Sequence, residues 1–388
     1  MNSAALLVVD DNEDNRYTLT RRLTREGYTN LTTASNGRDA LALLAARPFD
    51  LVLLDIMMPD ITGYDVLEQM KAAGQLHNIP VIMISALTEI DSVIRCIELG
   101  AVDYLSKPFN PTLLRARVSA SLEKKRLRDE VRTSHARLAE ELDAARALQL
   151  GMLPRVFPAH TRERPVEVHA FIEAAHEVGG DLYDCFYAGE HLFYFLVGDV
   201  SGKGAPAAMF MARTRSLVRM GVELWGEMGA EMTTARIAET VNRELCQNND
   251  DRMFVTVFLG LLDTRTGELT YTNAGHPAPF VLRASGEIGR IEGKAELPLG
   301  VRGGVSFQTR ALTLLPGEAV FVITDGIIEA MNADGAFYGL ERLTAALRAA
   351  NASPIGLVRS VAESVRTFIG AAPKADDVTA LALRWLPV

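Results

Sequence analysis

The sequence predicts an α/β protein with two folded parts: an N-terminal doubly wound parallel sheet and a C-terminal α/β sandwich, joined by a helical linker. Three observations lead to this prediction. The length of 388 residues exceeds what one hydrophobic core usually serves. The first 120 residues alternate short apolar strands with helical patterns, which is typical of a parallel sheet with crossover helices. From Pro165 onward strands predominate, and two long helical stretches interrupt them, which indicates two stacked sheets flanked by helices.

Composition excludes several classes of protein. The chain is 48% hydrophobic and 23% charged, as in an ordinary soluble protein. A net charge of −9 leaves no basic face to displace counterions, so no nucleic-acid partner is expected. No apolar run reaches the length of a membrane span, and the N-terminus has no basic region or cleavage site, so we expect a cytoplasmic protein without a membrane partner. Three scattered cysteines argue against a disulfide framework.

Five strands are predicted in the N-terminal part, in the segments "LLVVDD", "NLTTAS", "LVLLD", "VIMIS" and "DYLS". The third and fourth are apolar enough to be buried on both faces. Helix boundaries are marked as well. Gly27 ends one helix, Asn36 can cap the next, and Asn110 with Pro111 can begin the last.

Chemically active side chains stand where these strands end. Asp10 and Asp11 follow the first strand, Asp55 closes the third, Ser85 closes the fourth, and Lys107 follows the fifth. Ligands bind beyond the carboxyl ends of parallel strands. Gathered carboxylates repel one another unless a cation joins them, and Mg²⁺ prefers such oxygen ligands. Together with a hydroxyl and a lysine, this set can hold a phosphoryl group.

Residues 5–120 resemble a CheY-like receiver domain of two-component signalling. The resemblance implies that Asp55 accepts a phosphoryl group and that a cognate histidine kinase is the partner. It further implies that Mg²⁺ is held by Asp10, Asp11, Asp55 and the Met57 carbonyl, that Ser85 and Lys107 contact the phosphoryl group, and that Tyr104 is the switch aromatic residue.

The segment 121–153 has the composition of an exposed helix. Glu123 to Asp143 contains six acids and six basic residues and neither Gly nor Pro. An apolar residue recurs every seventh position, at Val131, Leu138, Ala145 and Met152. Such a stripe needs a partner, so we expect a short coiled coil that joins two chains as a homodimer. A single solvated helix remains the alternative.

Acids also stand at turns of the C-terminal part. Asp181 lies in "EVGGDLYD", Asp199 ends an apolar strand, Asp325 lies in "ITDGIIEA", and Asp376 and Asp377 precede the last strand. Oxygen ligands without His or Cys favour Mg²⁺ or Mn²⁺ over zinc. Two such ions can lower the pKa of a shared water, whose hydroxide then attacks a phosphate ester.

The loop "GDVSGKG", residues 198–204, is not a nucleotide-binding P-loop. Only three residues separate Gly198 from Gly202, and Gly204 rather than Ser or Thr follows Lys203. The loop is better interpreted as a metal turn that presents the Asp199 carboxylate and the Val200 carbonyl. Lys203 either steers phosphate or is a solvated loop charge.

Residues from about 140 to 388 resemble the PPM-type serine/threonine phosphatases, in the branch similar to stage II sporulation protein E. The motifs are "ARALQLGMLP", "EVGGDLYD", "GDVSGKG", "NAGHPAP", "TDGIIEA" and "DDVTALAL". The resemblance implies two Mn²⁺ or Mg²⁺ ions bound by Asp181, Asp199, the Val200 carbonyl, Asp325 and Asp376, with Asp377 the weaker choice of the last pair. The same four aspartates are the expected catalytic residues, and the implied substrate is a phosphorylated anti-sigma factor antagonist.

We therefore expect a receiver domain at 1–120, a coiled-coil linker at 121–153 and a phosphatase domain at 154–388. The expected function is a response regulator whose output is dephosphorylation of a phosphoserine or phosphothreonine protein. The alternative is a non-catalytic adaptor that binds a sigma-factor-regulating partner. Cys246 and Arg252 have the C-x₅-R spacing of cysteine phosphatases, but the intervening "QNNDD" would repel phosphate.

Overall fold

A computed structural model of this protein describes residues 2–86, 90–175, 178–228, 233–291, 293 and 296–387. The chain divides into two compact units, Met1–Leu138 and Ala139–Val388. None of the described helices combines the length and the apolar character that a membrane span requires.

The N-terminal unit is built on a parallel five-stranded sheet. Its strands are β1 (Asn2–Val9), β2 (Tyr28–Ala34), β3 (Leu51–Asp55), β4 (Val81–Ser85) and β5 (Asp103–Ser106). Their spatial order is β2-β1-β3-β4-β5, and every pair is parallel. The five predicted strands and the doubly wound sheet are confirmed. The carboxyl ends of β1, β3 and β4 therefore lie next to one another at one edge.

The central strands are buried on both faces, as the sequence predicted. All five residues of β3 and of β4 are buried. Alternate residues enter two different cores: Leu53 and Ile82 belong to one hydrophobic cluster, and Val52 and Leu54 belong to the other. Because a hydrophobic core packs against each face of the sheet, the strand ends that carry the acids are held in fixed positions.

Helices cover both faces of this sheet. They are α1 (Glu13–Arg25), α2 (Gly37–Ala46), α3 (Gly63–Ala72), α4 (Ile90–Leu99) and α5 (Pro111–Met152). Asn36 caps α2 by accepting a hydrogen bond from the amide of Asp39 at 2.8 Å. Gly27 adopts a positive φ of 91° after α1, a backbone conformation that favours glycine.

Helix α5 starts where the sequence predicted and continues far beyond the sheet. The side chain of Asn110 accepts hydrogen bonds from the amides of Thr112 and Leu113, which caps the first turn. The stripe that the sequence assigned to a coiled coil is solvent-exposed in this chain. The exposed fractions are 58% for Val131 and 56% for Leu138.

The C-terminal unit is a sandwich of two antiparallel sheets. One sheet contains, in spatial order, β13 (Arg310–Thr313), β10 (Glu268–Ala274), β9 (Val255–Asp263), β8 (Leu192–Val200) and β7 (Leu182–Tyr187). The other contains β12 (Ile288–Arg290), β11 (Phe280–Leu282), β14 (Ala319–Ile323), β15 (Val378–Trp385) and β6 (Val166–Glu173). The predicted α/β sandwich is confirmed.

Helices flank this sandwich. They are α6 (Gly204–Met228), α7 (Thr234–Leu245), α8 (Asp325–Ile328), α9 (Gly339–Ala349) and α10 (Pro354–Ile369). One core joins the two sheets with α6 and α7, and a second core lies under α9 and α10. The sequence had indicated α6 and α7. It did not single out β7, β11, β12 and β13, which are short or rich in polar residues, or the helices α9 and α10.

Candidate metal centres

The N-terminal unit contains an acidic cluster at the carboxyl edge of its sheet. Ligand oxygens of Asp10, Asp11 and Asp55 all lie within 4.8 Å of one another. Asp10 and Asp55 are buried, and Asp11 is exposed. The topology explains this arrangement, because β1 and β3 are neighbours and end together.

Lys107 joins two of these acids. Its Nζ lies 2.8 Å from Oδ2 of Asp10 and 2.9 Å from Oδ1 of Asp55. Burial raises the pKa of Asp55 to about 6, and the bond to Lys107 partly opposes that shift. One ammonium group cannot neutralise three carboxylates, so the cluster retains excess negative charge. A divalent cation with oxygen ligands would offset this charge, and the residues therefore fit Mg²⁺.

The other predicted residues surround this cluster. Ser85 is fully buried at the end of β4, and Asp55 is paired with the neighbouring Ile84. Burial raises the pKa of Tyr104, and the hydrogen bond of its hydroxyl with Ser85 partly opposes the shift. Met57 lies two residues beyond β3, and its side chain is 62% exposed.

A second group of acids lies at one end of the C-terminal sandwich. Asp181 directly precedes β7, and Asp199 is the second-last residue of β8. Asp325 is the first residue of α8, two residues after β14 ends, and Asp376 lies two residues before β15. The two sheets thus each contribute two carboxylates. A single strand could not supply this set, because the acids are distant in sequence.

Asp181 is the most deeply placed acid of this group, with a relative exposure of 1%. Its Oδ2 accepts a hydrogen bond from the Thr324 hydroxyl at 2.8 Å, and Oγ1 of Thr324 accepts one from the amide of Thr379 at 3.1 Å. Burial, followed by the charges of Asp199 and Asp377, raises the pKa of Asp181. Sequence reasoning missed Thr324, whose position directly before Asp325 was the available signal.

The remaining acids are electrostatic neighbours. Burial, then the charges of Asp325 and Asp376, raises the pKa of Asp199 to about 7. Burial and the charge of Asp376 raise the pKa of Asp325. Bringing like charges together opposes ionisation, and bound cations would relieve it. Because every donor is an oxygen atom, the residues fit Mg²⁺ or Mn²⁺.

Asp377 holds the backbone that carries Asp181. Its carboxylate accepts hydrogen bonds from the amides of Ala175 at 2.8 Å and Gly180 at 2.7 Å. Gly179 must be a glycine, because a Cβ there would overlap the Asp377 carboxylate. A Cβ on Gly180 would lie 2.8 Å from the Val200 carbonyl oxygen, so this carbonyl faces the same turn. The glycine pair therefore allows three segments to meet closely.

Lys203 lies at the rim of this site. Its Nζ donates a hydrogen bond to the Ala375 carbonyl at 2.6 Å and lies 3.9 Å from Oδ2 of Asp376. The side chain is 51% exposed. Gly202 and Gly204 on either side adopt positive φ angles of 89° and 73°. The loop thus links the Asp199 turn to the Asp376 turn.

Gln149, near the end of α5, also contacts this region. Its Nε2 donates to the Gly179 carbonyl at 2.5 Å, and its Oε1 accepts from the Gly179 amide at 3.2 Å. The side chain is buried, with 9% exposure. In the sequence Gln149 lies within the motif "ARALQLGMLP", which does not by itself indicate this contact.

Cys246 lacks the surroundings of a nucleophile. Burial raises the pKa of its thiol, whereas a nucleophilic cysteine needs a lowered pKa. Its Sγ lies 3.7 Å from Oδ1 of Asn242 in the last turn of α7. The C-x₅-R spacing therefore occurs here without the lowered thiol pKa that a cysteine phosphatase requires.

The fold and the two acid clusters define a receiver domain followed by a phosphatase-type sandwich. The family model for stage II sporulation protein E (SpoIIE) matches residues 189–386, more than half of the chain, and the model for the response regulator receiver domain matches residues 6–119. The chain belongs to the stage II sporulation protein E family and carries a response regulator receiver domain.

Known proteins resemble the C-terminal fold. The SiaA-PP2C domain of Pseudomonas aeruginosa has a TM-score of 0.55 at 19% identity, covering 65% of this chain and 98% of that chain. The PP2C phosphatase domain of SpoIIE from Bacillus subtilis, solved with a fragment of its regulatory domain, has a TM-score of 0.50 at 19% identity, covering 58% and 64%. These structures show a shared fold.

A curated relative is similar to part of the sequence. Protein IcfG of Synechocystis sp. is 28% identical over 264 residues. The match covers 63% of this chain and 41% of IcfG, so the chain spans less than half of that relative's length.

Proposed function

We propose that this protein is a response regulator whose output is metal-dependent dephosphorylation of a phosphoserine or phosphothreonine protein. The observation that supports the proposal is the placement of Asp181, Asp199, Asp325 and Asp376 at one end of the sandwich, where neighbouring carboxylates help to raise the pKa values of Asp181, Asp199 and Asp325. Membership of the stage II sporulation protein E family supports the same conclusion.

In this proposal the four aspartates and the Val200 carbonyl hold two Mg²⁺ or Mn²⁺ ions. Such ions, when bound, make a hydroxide available near neutral pH for attack on a phosphate ester. The chain's own contribution is to position the ligands. Thr324 orients the Asp181 carboxylate, and Asp377 fixes the turn before it. Lys203 is proposed to steer the phosphate dianion, and its exposure at the rim supports this role.

The N-terminal unit is proposed to regulate the phosphatase activity. Asp55 is the proposed phospho-acceptor, a cognate histidine kinase is the proposed partner, and Asp10, Asp11, Asp55 and the Met57 carbonyl form the proposed Mg²⁺ site. Ser85 and Lys107 would contact the phosphoryl group, and Tyr104 would respond to it. The receiver match over residues 6–119 supports this assignment.

The linker is proposed to pair two chains into a homodimer. Its exposed apolar stripe supports this, because apolar residues in heptad spacing are typical of the seam that two paired helices bury. The proposed organisation is a receiver at 1–120, a linker at 121–153 and a phosphatase at 154–388. The proposed substrate is a phosphorylated anti-sigma factor antagonist, which the family relationship supports.

A phosphatase assay on the full chain tests this proposal. Purified protein is incubated with a phosphoserine protein and Mn²⁺ or Mg²⁺, and phosphate release is followed. We expect turnover that stops on chelation and falls at least ~10²-fold in Asp199→Asn, as for the loss of a strong electrostatic contributor. Asp334→Asn, an exposed loop variant, is the matched control.

Binding of the phosphoprotein without turnover in either metal would favour the non-catalytic adaptor. Wild-type turnover in Asp199→Asn would show that the metal turn has been misassigned.

A further inference from the structure

A pocket of about 350 Å³ lies in the C-terminal unit, at the end of the second sheet that is remote from the acids. It is formed where β11 ends, where β14 begins, and where α9 ends and α10 begins. The strand β14 starts at this pocket with Ala319 and reaches Asp325 only after its full length, about 17 Å for five extended residues. The pocket is therefore separate from the proposed metal centre.

Three arginines line this pocket: Arg283, Arg348 and Arg384. No carboxylate is among the lining residues in the part of the chain that the structure describes. Glu318, buried at 2% exposure, neutralises one of the three, because its Oε2 lies 2.8 Å from Nη1 of Arg283. Among the described residues, no carboxylate forms an ion pair with the other two arginines.

The two remaining arginines, Arg384 and Arg348, differ in burial. Arg384 is half-buried, and its Nε donates to the Gly317 carbonyl at 3.1 Å. Its terminal nitrogens make no hydrogen bond to the residues that the structure describes, so they can face a ligand. Arg348 is exposed in the last turn of α9. Guanidinium groups match the oxygens of phosphate through paired hydrogen bonds.

The floor of the pocket is apolar. Leu282, Leu347 and Leu357 line it, and Leu347 and Leu357 are core residues with exposures of 2% and 0%. A concave site of this size, with apolar walls and a few convergent polar groups, is typical of small-molecule sites. An inorganic anion alone would leave these walls uncovered.

We propose that this pocket binds a phosphate monoester with an apolar body, such as an alkyl or aromatic group. The dianion matches the two unneutralised arginines in charge, and the apolar body covers the leucines. The proposal goes beyond the phosphatase function and does not depend on it.

Calorimetric titration of the full, metal-free chain with octyl phosphate tests the proposal. Inorganic phosphate and octyl glucoside are the matched probes for the head group and the apolar body. We expect octyl phosphate to bind at least ~10-fold more tightly than either. Arg348→Gln and Arg384→Gln should each weaken it about tenfold, as for the loss of a hydrogen bond between charged groups.

Two controls locate the binding. Arg359→Gln, on the exposed side of α10 outside the pocket lining, should bind like wild type, and so should Asp199→Asn. Thermal melting confirms that each variant is folded. Three results would each overturn the proposal. They are an affinity for inorganic phosphate equal to that for octyl phosphate, an affinity for octyl glucoside equal to that for octyl phosphate, and unchanged octyl phosphate binding by both arginine variants.

Discussion

The side chain of Gln149 and the backbone of Gly179 hold each other through two reciprocal hydrogen bonds. These bonds connect the last turns of α5 to the turn that presents Asp181. On its other side the same turn is held by Asp377, which accepts a hydrogen bond from the Gly180 amide. The position of the Asp181 carboxylate thus depends on both the linker helix and the turn before β15.

Replacing Gln149 with alanine should lower phosphatase activity about tenfold. The amide and carbonyl of Gly179 are buried, and each would lose its partner at a cost of about 1–3 kcal/mol, which the turn can recover only by moving. Steady-state kinetics and Mn²⁺ titration are the measurements. Asp143→Ala, an exposed change on the same helix, should leave both unaltered. Equal activity in the two variants would mean that the Gln149 contact has no part in catalysis.

Asp376 and Asp377 should respond differently to substitution. Asp376→Asn should reduce activity, because Asp376 is a proposed metal ligand. It should leave the unfolding free energy close to wild type, because the Asp376 side chain is half exposed. Asp377→Ala removes the acceptor of three backbone amides and should reduce stability by about 1–3 kcal/mol. Urea unfolding beside the activity assay separates these effects. A stable, inactive Asp377→Ala would instead identify Asp377 as the ligand of the pair.

Asp55→Asn should abolish phosphorylation by acetyl phosphate and leave the basal phosphatase rate near wild type. The two acid clusters belong to different compact units with separate cores, so neither site needs the other's carboxylates. Labelled acetyl phosphate measures the first effect and phosphate release the second. Asp60→Asn, an exposed change in the following loop, should still be phosphorylated. Label retained on Asp55→Asn would place the acceptor elsewhere.

His276 should make the C-terminal unit less stable as the pH falls. Burial lowers the pKa of its imidazole from 6.5 to about 3, and the nearby Ile323 backbone partly opposes the shift. The unfolded chain therefore takes up the proton first. The stability due to neutral His276 is complete above pH 6.5 and is lost as the pH falls toward 3, by up to about 1.4 kcal/mol per pH unit.

Tryptophan fluorescence can follow this loss selectively, because Trp225 and Trp385 both belong to the C-terminal unit. Urea unfolding of wild type and His276→Gln is compared at pH 7.5 and 5.5. The wild-type advantage in unfolding free energy should shrink by about 1 kcal/mol at the lower pH. The same difference at both values would show that His276 titrates normally in the folded protein.

The sequence predicted the parallel sheet well because four of the five predicted strands, all but the second, end at or next to a chemically active residue. Asp10, Asp55 and Ser85 each follow an unbroken apolar run, and topology alone then brings them together. Strand β7 was harder to find, since "DLYDCFY" places Asp184 inside a strand. That carboxylate is buried because Arg215 and Arg219 of α6 pair with it. Neither ion pair can be predicted from the residues next to Asp184 in the sequence, because both arginines are about thirty residues away.

The hydrogen-bonded supports of the metal site were equally invisible to sequence reasoning. Gln149 and Gly179 are thirty residues apart, and Asp377 lies close to the Gly179 turn only because β15 pairs with β6. Their roles depend on long-range contacts, whereas the acids themselves could be recognised by their position at strand ends.

Insertions in the linker should distinguish a paired helix from a flexible tether. Helix α5 runs unbroken from Pro111 to Met152, and Val131, Leu138 and Met152 are exposed along it. One residue inserted after Ala139 rotates the following stripe by about 100° around the helix, while seven residues nearly restore the phase. A paired linker therefore loses its continuous apolar seam in the first variant and keeps it in the second.

If phosphorylation at Asp55 acts through such a pairing, regulation of the phosphatase should be lost with one inserted residue and substantially recovered with seven. The ratio of phosphatase rates with and without acetyl phosphate measures this, and light scattering reports whether the chain is dimeric. Asp55→Asn in each background removes any effect of acetyl phosphate that does not pass through the receiver. Equal regulation in both insertion variants, in a protein that is monomeric, would establish the tether, because a tether transmits no helical phase.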